Sequence, residues 1–248
     1  MNGLLPLFIS FIAGISTVLG SIFIFIKPKN INSYIGTSLS FSASVMLLLS
    51  ITELIPEGFI YLEYKFNFLI AIIILFVMIF IGNYLLKIIN NKIIKYQKIN
   101  SNLYRVGILS MAVLMLHNLP EGILTFVSSV VDIKLGLKYA VAIMLHNIPE
   151  GIAIAVPIYY ATKNKSKAVK ATFISGLSEP IGAIIAWIFL RNYINSLIIS
   201  IILLFVAGLM ISISINDIFE EANKYSRKSI ILGIILASIL FIINFMIF

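Results

Sequence analysis

Leu116-His117-Asn118-Leu119-Pro120-Glu121-Gly122 recurs 29 residues later as Leu145-His146-Asn147-Ile148-Pro149-Glu150-Gly151. The two copies hold the only two histidines of a 248-residue chain. Each copy lies inside a long apolar run, where an ionisable side chain is costly and usually functional. A His and a Glu four residues apart share one face of a helix. An imidazole and a carboxylate on one face, supplied twice, suit a divalent transition metal. The alternative, two polar residues bonded across a helix interface, leaves the repeat to coincidence. The chain has no cysteine, so a bound metal would have to use nitrogen and oxygen donors.

The elements that must hold these residues are membrane helices. Sixty per cent of the residues are hydrophobic, 11% are charged and the mean hydropathy is +1.09. Soluble domains carry roughly 25% charged residues. Helices need about 20 apolar residues to cross a bilayer, and the short alternating strands of a membrane β-barrel are not visible. We expect an all-α integral membrane protein with eight spans in one bundle, at about 4–26, 35–57, 66–89, 104–130, 136–160, 168–190, 194–218 and 229–248. The first span has no basic residue before it and no clear small-residue cleavage site, so it reads as a retained helix rather than a signal peptide.

Residues 1–248 read as a single polytopic membrane domain, with a polar, basic cytoplasmic loop at about 90–103. Within that loop, Ile93, Ile94 and Tyr96 could instead lie on the membrane surface. The net charge of +8 raises nucleic acid as a partner, but the basic residues sit in short loops and read as topology signals. Fourteen of them, from Lys27 and Lys29 through Lys87–Arg105, Lys163–Lys170 and Lys224–Lys228, fall on one side of the predicted bundle. Four, Lys65, Lys134, Lys138 and Arg191, fall on the other. That asymmetry puts both termini outside. The expected location is the cell (inner) membrane, the expected partners are divalent metal ions and lipid, and a homodimer is left open.

Spans 4 and 5 run antiparallel, so the two motifs do also. Four residues of helix rise about 6 Å. Side by side, His117 comes level with Glu150 and Glu121 with His146, a four-ligand ring near mid-membrane. Pro120 and Pro149 cannot donate to the carbonyls of Leu116 and Leu145, so each helix should kink or loosen there. Gly122 and Gly151 would allow close helix approach. Span 6 adds Ser178-Glu179-Pro180, with Glu179 either facing the site or bonded to a hydroxyl of another helix. Glu53 and Glu57, at the outer end of span 2, and Asp217, at the inner end of span 7, read as entrance and exit groups or as ordinary interfacial carboxylates. These six membrane-associated carboxylates have no matching buried Lys or Arg in the sequence pattern, which calls for another cation. Met111, Met115 and Met144 could be soft ligands but fit packing better.

The repeated His-Asn-[Leu/Ile]-Pro-Glu-Gly, with Ser-Glu-Pro in the next span, resembles the ZIP family of divalent-metal transporters. It most resembles the bacterial branch that takes up zinc and other first-row metals. The resemblance covers nearly the whole chain. It implies uptake of zinc, and of metals such as iron, manganese, cobalt or cadmium, into the cytoplasm through a two-metal site between helices 4, 5 and 6. The implied ligands are His117, Asn118, Glu121, His146, Asn147, Glu150 and Glu179. It implies no enzymatic activity and no prosthetic group; the metal is cargo. Two departures stand out: the loop after span 3 lacks the histidines many members carry, and span 5 has one histidine where many eukaryotic members have two.

Residues on a helix turn by about 100° each. With His117 at 0°, Asn118 lies at about 100° and Glu121 at about 40°, between them. Glu150 likewise lies between His146 and Asn147. Each glutamate can therefore face one ion on the histidine side and another on the asparagine side, where Glu179 is the obvious further donor. Two other readings compete. An intramembrane zinc protease would want His-Glu-x-x-His and a di-iron bundle Glu-x-x-His, and neither spacing is present. A transporter of organic ions could use His and Glu as a proton relay, but needs no matched pair on two helices.

Overall fold

The computed structural model describes residues 3–97, 101–190 and 196–247. Among them every regular element is helical and no strand occurs. Eight helices are long and apolar enough to cross a membrane: α1 Leu4–Phe25, α2 Ile31–Lys65, α3 Phe68–Lys92, α4 Asn102–Val131, α5 Ile133–Thr162, α6 Lys165–Phe189, α7 Leu197–Ala222 and α8 Arg227–Asn244. Several of the described turns between them are short and built from capping residues. Asn30, Ser101 and Asn164 accept hydrogen bonds from the amides of Ser33, Tyr104 and Lys167, and so start α2, α4 and α6. A single residue, Asp132, separates α4 from α5, and its side chain accepts from the Lys134 amide at 2.8 Å. So short a link forces α4 and α5 to be antiparallel neighbours, as the sequence predicts.

Small residues let the helices around the motifs approach backbone to backbone. A Cβ added at Gly122 of α4 would lie 1.8 Å from the carbonyl oxygen of Glu179 on α6. One added at Gly151 of α5 would lie 1.9 Å from that of Thr17 on α1. Gly14 of α1 and Gly176 of α6 face each other in the same way. Helices α1, α4, α5 and α6 are thereby clamped together at the level of the motifs. Helix α2 joins them through serines: Ser42 Oγ donates to the carbonyl of Pro149 at 2.7 Å. Apolar packing from Leu109, Val113, Ile154 and Ile158 fills the bundle between the motifs and the turn at 163–164.

Two expectations about the elements need correction. Span 2 is longer than predicted: α2 runs 35 residues to Lys65, about 50 Å at 1.5 Å per residue. Glu53 and Glu57 therefore lie inside it rather than at its end, and Glu63 is helical too. The expected loop at 90–103 is mostly helix, because the helix of α3 continues to Gln97 and α4 begins at Asn102. Residues 98–100, with Lys98, and residues 191–195, with Arg191, lie outside the described residues. Span 6 is interrupted at a single residue, Leu177, between Lys165–Gly176 and Ser178–Ile185, where Pro180 has no N–H to donate to Gly176; Leu177 keeps helical dihedrals and the span runs on to Phe189. By contrast, the helices run uninterrupted through Pro120 and Pro149. Finally, α2, α6 and α7 each contain a wider π-helical turn, at Ser50–Leu54, Ala186–Leu190 and Ser214–Phe219. Such turns often mark functional positions, and two of them carry Glu53 and Asp217.

Candidate metal centre

The α4–α5 pairing sets the register of the motifs. His117 Nε2 lies 3.1 Å from Glu121 Oε1 on its own helix and 3.4 Å from Glu150 Oε1 on the neighbour. His146 Nε2 lies 2.8 Å from Glu121 Oε1. The cross-helix pairs, His117 with Glu150 and His146 with Glu121, are the ones the antiparallel register predicts. The two imidazole rings are tilted by 47°, with centroids 6.4 Å apart. Donor atoms of His117, Glu121 and His146 all fall within 4.8 Å of one another. Tetrahedral zinc with ligand bonds of about 2.1 Å holds its donors about 3.4 Å apart. The observed separations of 2.8, 3.1 and 3.4 Å run from somewhat below that figure up to it. His117 Nε2 and both Glu150 oxygens have no hydrogen-bond partner despite this proximity, so they are close without being bonded to each other.

The asparagine side is built differently. Asn147 Nδ2 donates to Glu179 Oε2 at 3.1 Å and to the Ala13 carbonyl at 3.0 Å. Asn118 Nδ2 donates to the Ser175 carbonyl at 3.5 Å, just before the α6 interruption. With their N–H groups engaged, Asn118 Oδ1 and Asn147 Oδ1 are left as buried acceptors without partners, and so are Glu179 Oε1 and Glu121 Oε2. Buried polar atoms are nearly always satisfied, so each of these oxygens calls for a partner. Glu179 sits in the first turn of the second half of α6, where the helix dipole favours negative charge. Asn118, Asn147, Glu150 and Glu179 have no exposed surface. Three buried carboxylates, at 121, 150 and 179, would be very costly without a compensating cation.

A cavity of about 330 Å³ leads to the histidine side. Its walls include Glu53 and Glu57 of α2, His117 and Glu121 of α4, and Lys138, Tyr139 and His146 of α5. It runs from exposed Lys138 and Tyr139, near the 131–133 turn, inward to buried His117. Glu53 and Glu57 thus share a chamber with the motif histidines. Asn118, Asn147, Glu150 and Glu179 do not line it.

Asp217 is placed elsewhere. Arg105 donates to it at 2.9 Å, and Asn90 to it at 3.2 Å, at the opposite end of the bundle from the chamber. Asp217 is only 4% exposed and has its own cation, which corrects the expectation that all six carboxylates lack one. The sequence pattern missed this because Arg105, the fourth residue of α4, was counted with the preceding loop. Met111 lies against the main core and Met144 against the Ile9–Ile143 cluster, and neither they nor Met115 line the cavity. Three polar cavity residues are not read as site residues from the sequence, Lys138, Tyr139 and Asn244. The signal for Asn244 was available, since it is the only amide side chain in 229–248.

The geometry has counterparts in known proteins. The profile described as "ZIP Zinc transporter" matches residues 94–243. A protein named zinc transporter ZupT from Streptococcus mutans is 34% identical, over 96% of this chain and 95% of its own length. ZupT proteins of Clostridium perfringens and Chlorobaculum parvum are 33% and 36% identical, over 100% and 91% of this chain and 97% and 90% of their own. With eight apolar helices, a doubled His-Asn-x-Pro-Glu motif and relatives matched along almost the whole length, the chain belongs to the ZIP family of multi-pass membrane metal-ion transporters, and it is not an enzyme.

Proposed function

We propose that this transporter takes up divalent transition metals, zinc foremost, binding them between α4 and α5. The named relatives are zinc transporters, and an N/O donor set with two imidazoles suits zinc while also admitting iron, manganese, cobalt and cadmium. His117, Glu121, His146 and Glu150 hold one ion. Asn118, Asn147 and Glu179, with Glu121 and Glu150 as bridges, hold a second. The observation that carries the reading is the convergence of donor atoms of His117, Glu121 and His146, all within 4.8 Å of one another, on two antiparallel helices. Ions arrive through the chamber past Glu57 and Glu53. The excess of basic residues at the other end of the bundle makes the chamber side external, with both termini outside. Transport is then inward.

A second reading of the asparagine side has its own support. The Asn147–Glu179 hydrogen bond at 3.1 Å fits a structural clamp that holds the interrupted α6, with a single ion bound on the histidine side. Metal stoichiometry of purified protein separates the two. Two ions per chain in the wild type, one in Glu179→Ala, and one in His117→Ala/His146→Ala support the binuclear reading. One ion in both the wild type and Glu179→Ala overturns it in favour of the clamp. Undiminished zinc uptake by both His117→Ala and His146→Ala, at equal surface expression, overturns the histidine-side site itself.

A further inference from the structure

His146 uses only one ring nitrogen toward Glu121. The other, Nδ1, is buried and has no hydrogen-bond partner. On α8, Asn244 Oδ1 is also buried and also without a partner. Both residues line the main chamber, and both line a second, narrow cleft between α2, α5 and α8. The rest of that cleft is Val45, Leu49, Leu145, Ala237, Leu240 and Phe241, all apolar. Its volume of about 20 Å³ is room for about one water molecule.

The two orphan atoms are chemically complementary once a metal is bound. A metal on His146 Nε2 leaves the neutral ring's single proton on Nδ1. That N–H then needs an acceptor, and an unpaired buried donor weakens whatever state creates it. Among the cleft-lining side chains, Asn244 is the one that offers an acceptor. We propose that Asn244 is a positioning residue for metal binding: its Oδ1 receives the His146 Nδ1–H through one bridging water, and so fixes the ring with Nε2 toward the ion. The inference rests on the reading that His146 is a metal ligand. Ligand histidines are generally held in this way by a partner on the far nitrogen, and loss of that partner typically weakens metal binding 10- to 100-fold.

The chain lends itself to the test because it has two histidines only. Full-length protein labelled with ¹⁵N-histidine is titrated with zinc in lipid nanodiscs, as wild type, Asn244→Leu and Asn244→Asp, with His146→Ala to assign the ring signals. In the wild type, zinc should shift the His146 Nε2 resonance and reveal a slowly exchanging, downfield Nδ1–H. Asn244→Leu should lose the slow Nδ1–H and bind zinc about 10- to 100-fold more weakly. Asn244→Asp keeps an acceptor and should retain both properties. If zinc leaves the wild-type His146 Nε2 resonance unmoved, His146 is not a ligand and the underlying reading falls. If the resonance moves but Asn244→Leu keeps the slow Nδ1–H and the affinity, the positioning role falls. Equal loss in Asn244→Leu and Asn244→Asp overturns it in favour of packing.

Discussion

Replacing Gly122 by Ala separates the two sides of the centre. The new Cβ would lie 1.8 Å from the carbonyl oxygen of Glu179, whereas an ordinary contact needs at least 3.4 Å. The obstacle is backbone, so no rotamer change relieves it, and α6 must retreat from α4 by about 1.6 Å at this level. Metal–ligand distances tolerate about 0.2 Å. A retreat several times larger carries Glu179 away from Asn118, while His117, Glu121, His146 and Glu150 stay on the intact α4–α5 pair. Gly122→Ala should therefore lose the asparagine-side ion and keep the histidine-side ion, with uptake slower by about 100-fold, the usual effect of misplacing a reacting group by an ångström. Gly3→Ala is the control, because its Cβ would meet only the side chain of Trp187, which is 40% exposed and can turn away. It should transport within about 2-fold of wild type. Zinc stoichiometry and initial uptake rates in proteoliposomes read both variants. Wild-type stoichiometry and rate in Gly122→Ala would refute the claim that the α4–α6 contact holds half of the centre.

Three further outcomes are expected. The double variant Glu53→Gln/Glu57→Gln should raise the half-saturating zinc concentration by roughly 3- to 10-fold at low ionic strength and by less in high salt; equal values in wild type and variant at low salt would remove the chamber role. Zinc binding should weaken steadily as pH falls from about 7.5 to 5.5, because protons must leave imidazole and carboxylate before metal can bind; calorimetric affinities that do not change with pH would contradict the donor set. Asp217→Asn should destabilise the fold by about 3 kcal/mol, the low end for breaking a buried ion pair, and Arg105→Gln/Asp217→Asn should recover part of that in thermal melts, whereas additive losses would show that the pair is not coupled.

The sequence was most readable where one repeat carried both position and chemistry. A His and a Glu four residues apart in two adjacent antiparallel spans are enough to pair His117 with Glu150 and His146 with Glu121, because helix geometry and a one-residue turn leave little choice of register. The ends of helices were harder. Residues 90–97 are polar and basic like a loop, but their helix is a continuation of α3; likewise Lys65, not the Pro56-Glu57-Gly58 stretch, ends α2. In both, the long helix overrides local breakers. Pro120, Pro149 and Pro180 look alike in the sequence, yet only the last coincides with a one-residue interruption of its helix, next to where Gly176 and Gly14 bring two backbones together. Arg105 with Asp217 joins segments far apart in the chain, as does the cleft shared by Asn244 and His146, and no local spacing reports such neighbours.

The central claim is that zinc sits on both motif histidines at once, and X-ray absorption at the zinc edge of protein loaded with one equivalent measures this directly. With no cysteine and two histidines in the chain, imidazole scattering can come only from His117 and His146. The account predicts a first shell of nitrogen and oxygen at about 2.0–2.1 Å with outer-shell scattering from two imidazoles, falling to one in His117→Ala or His146→Ala. An oxygen-only shell without imidazole scattering, or a wild-type spectrum unchanged in both variants, would contradict it.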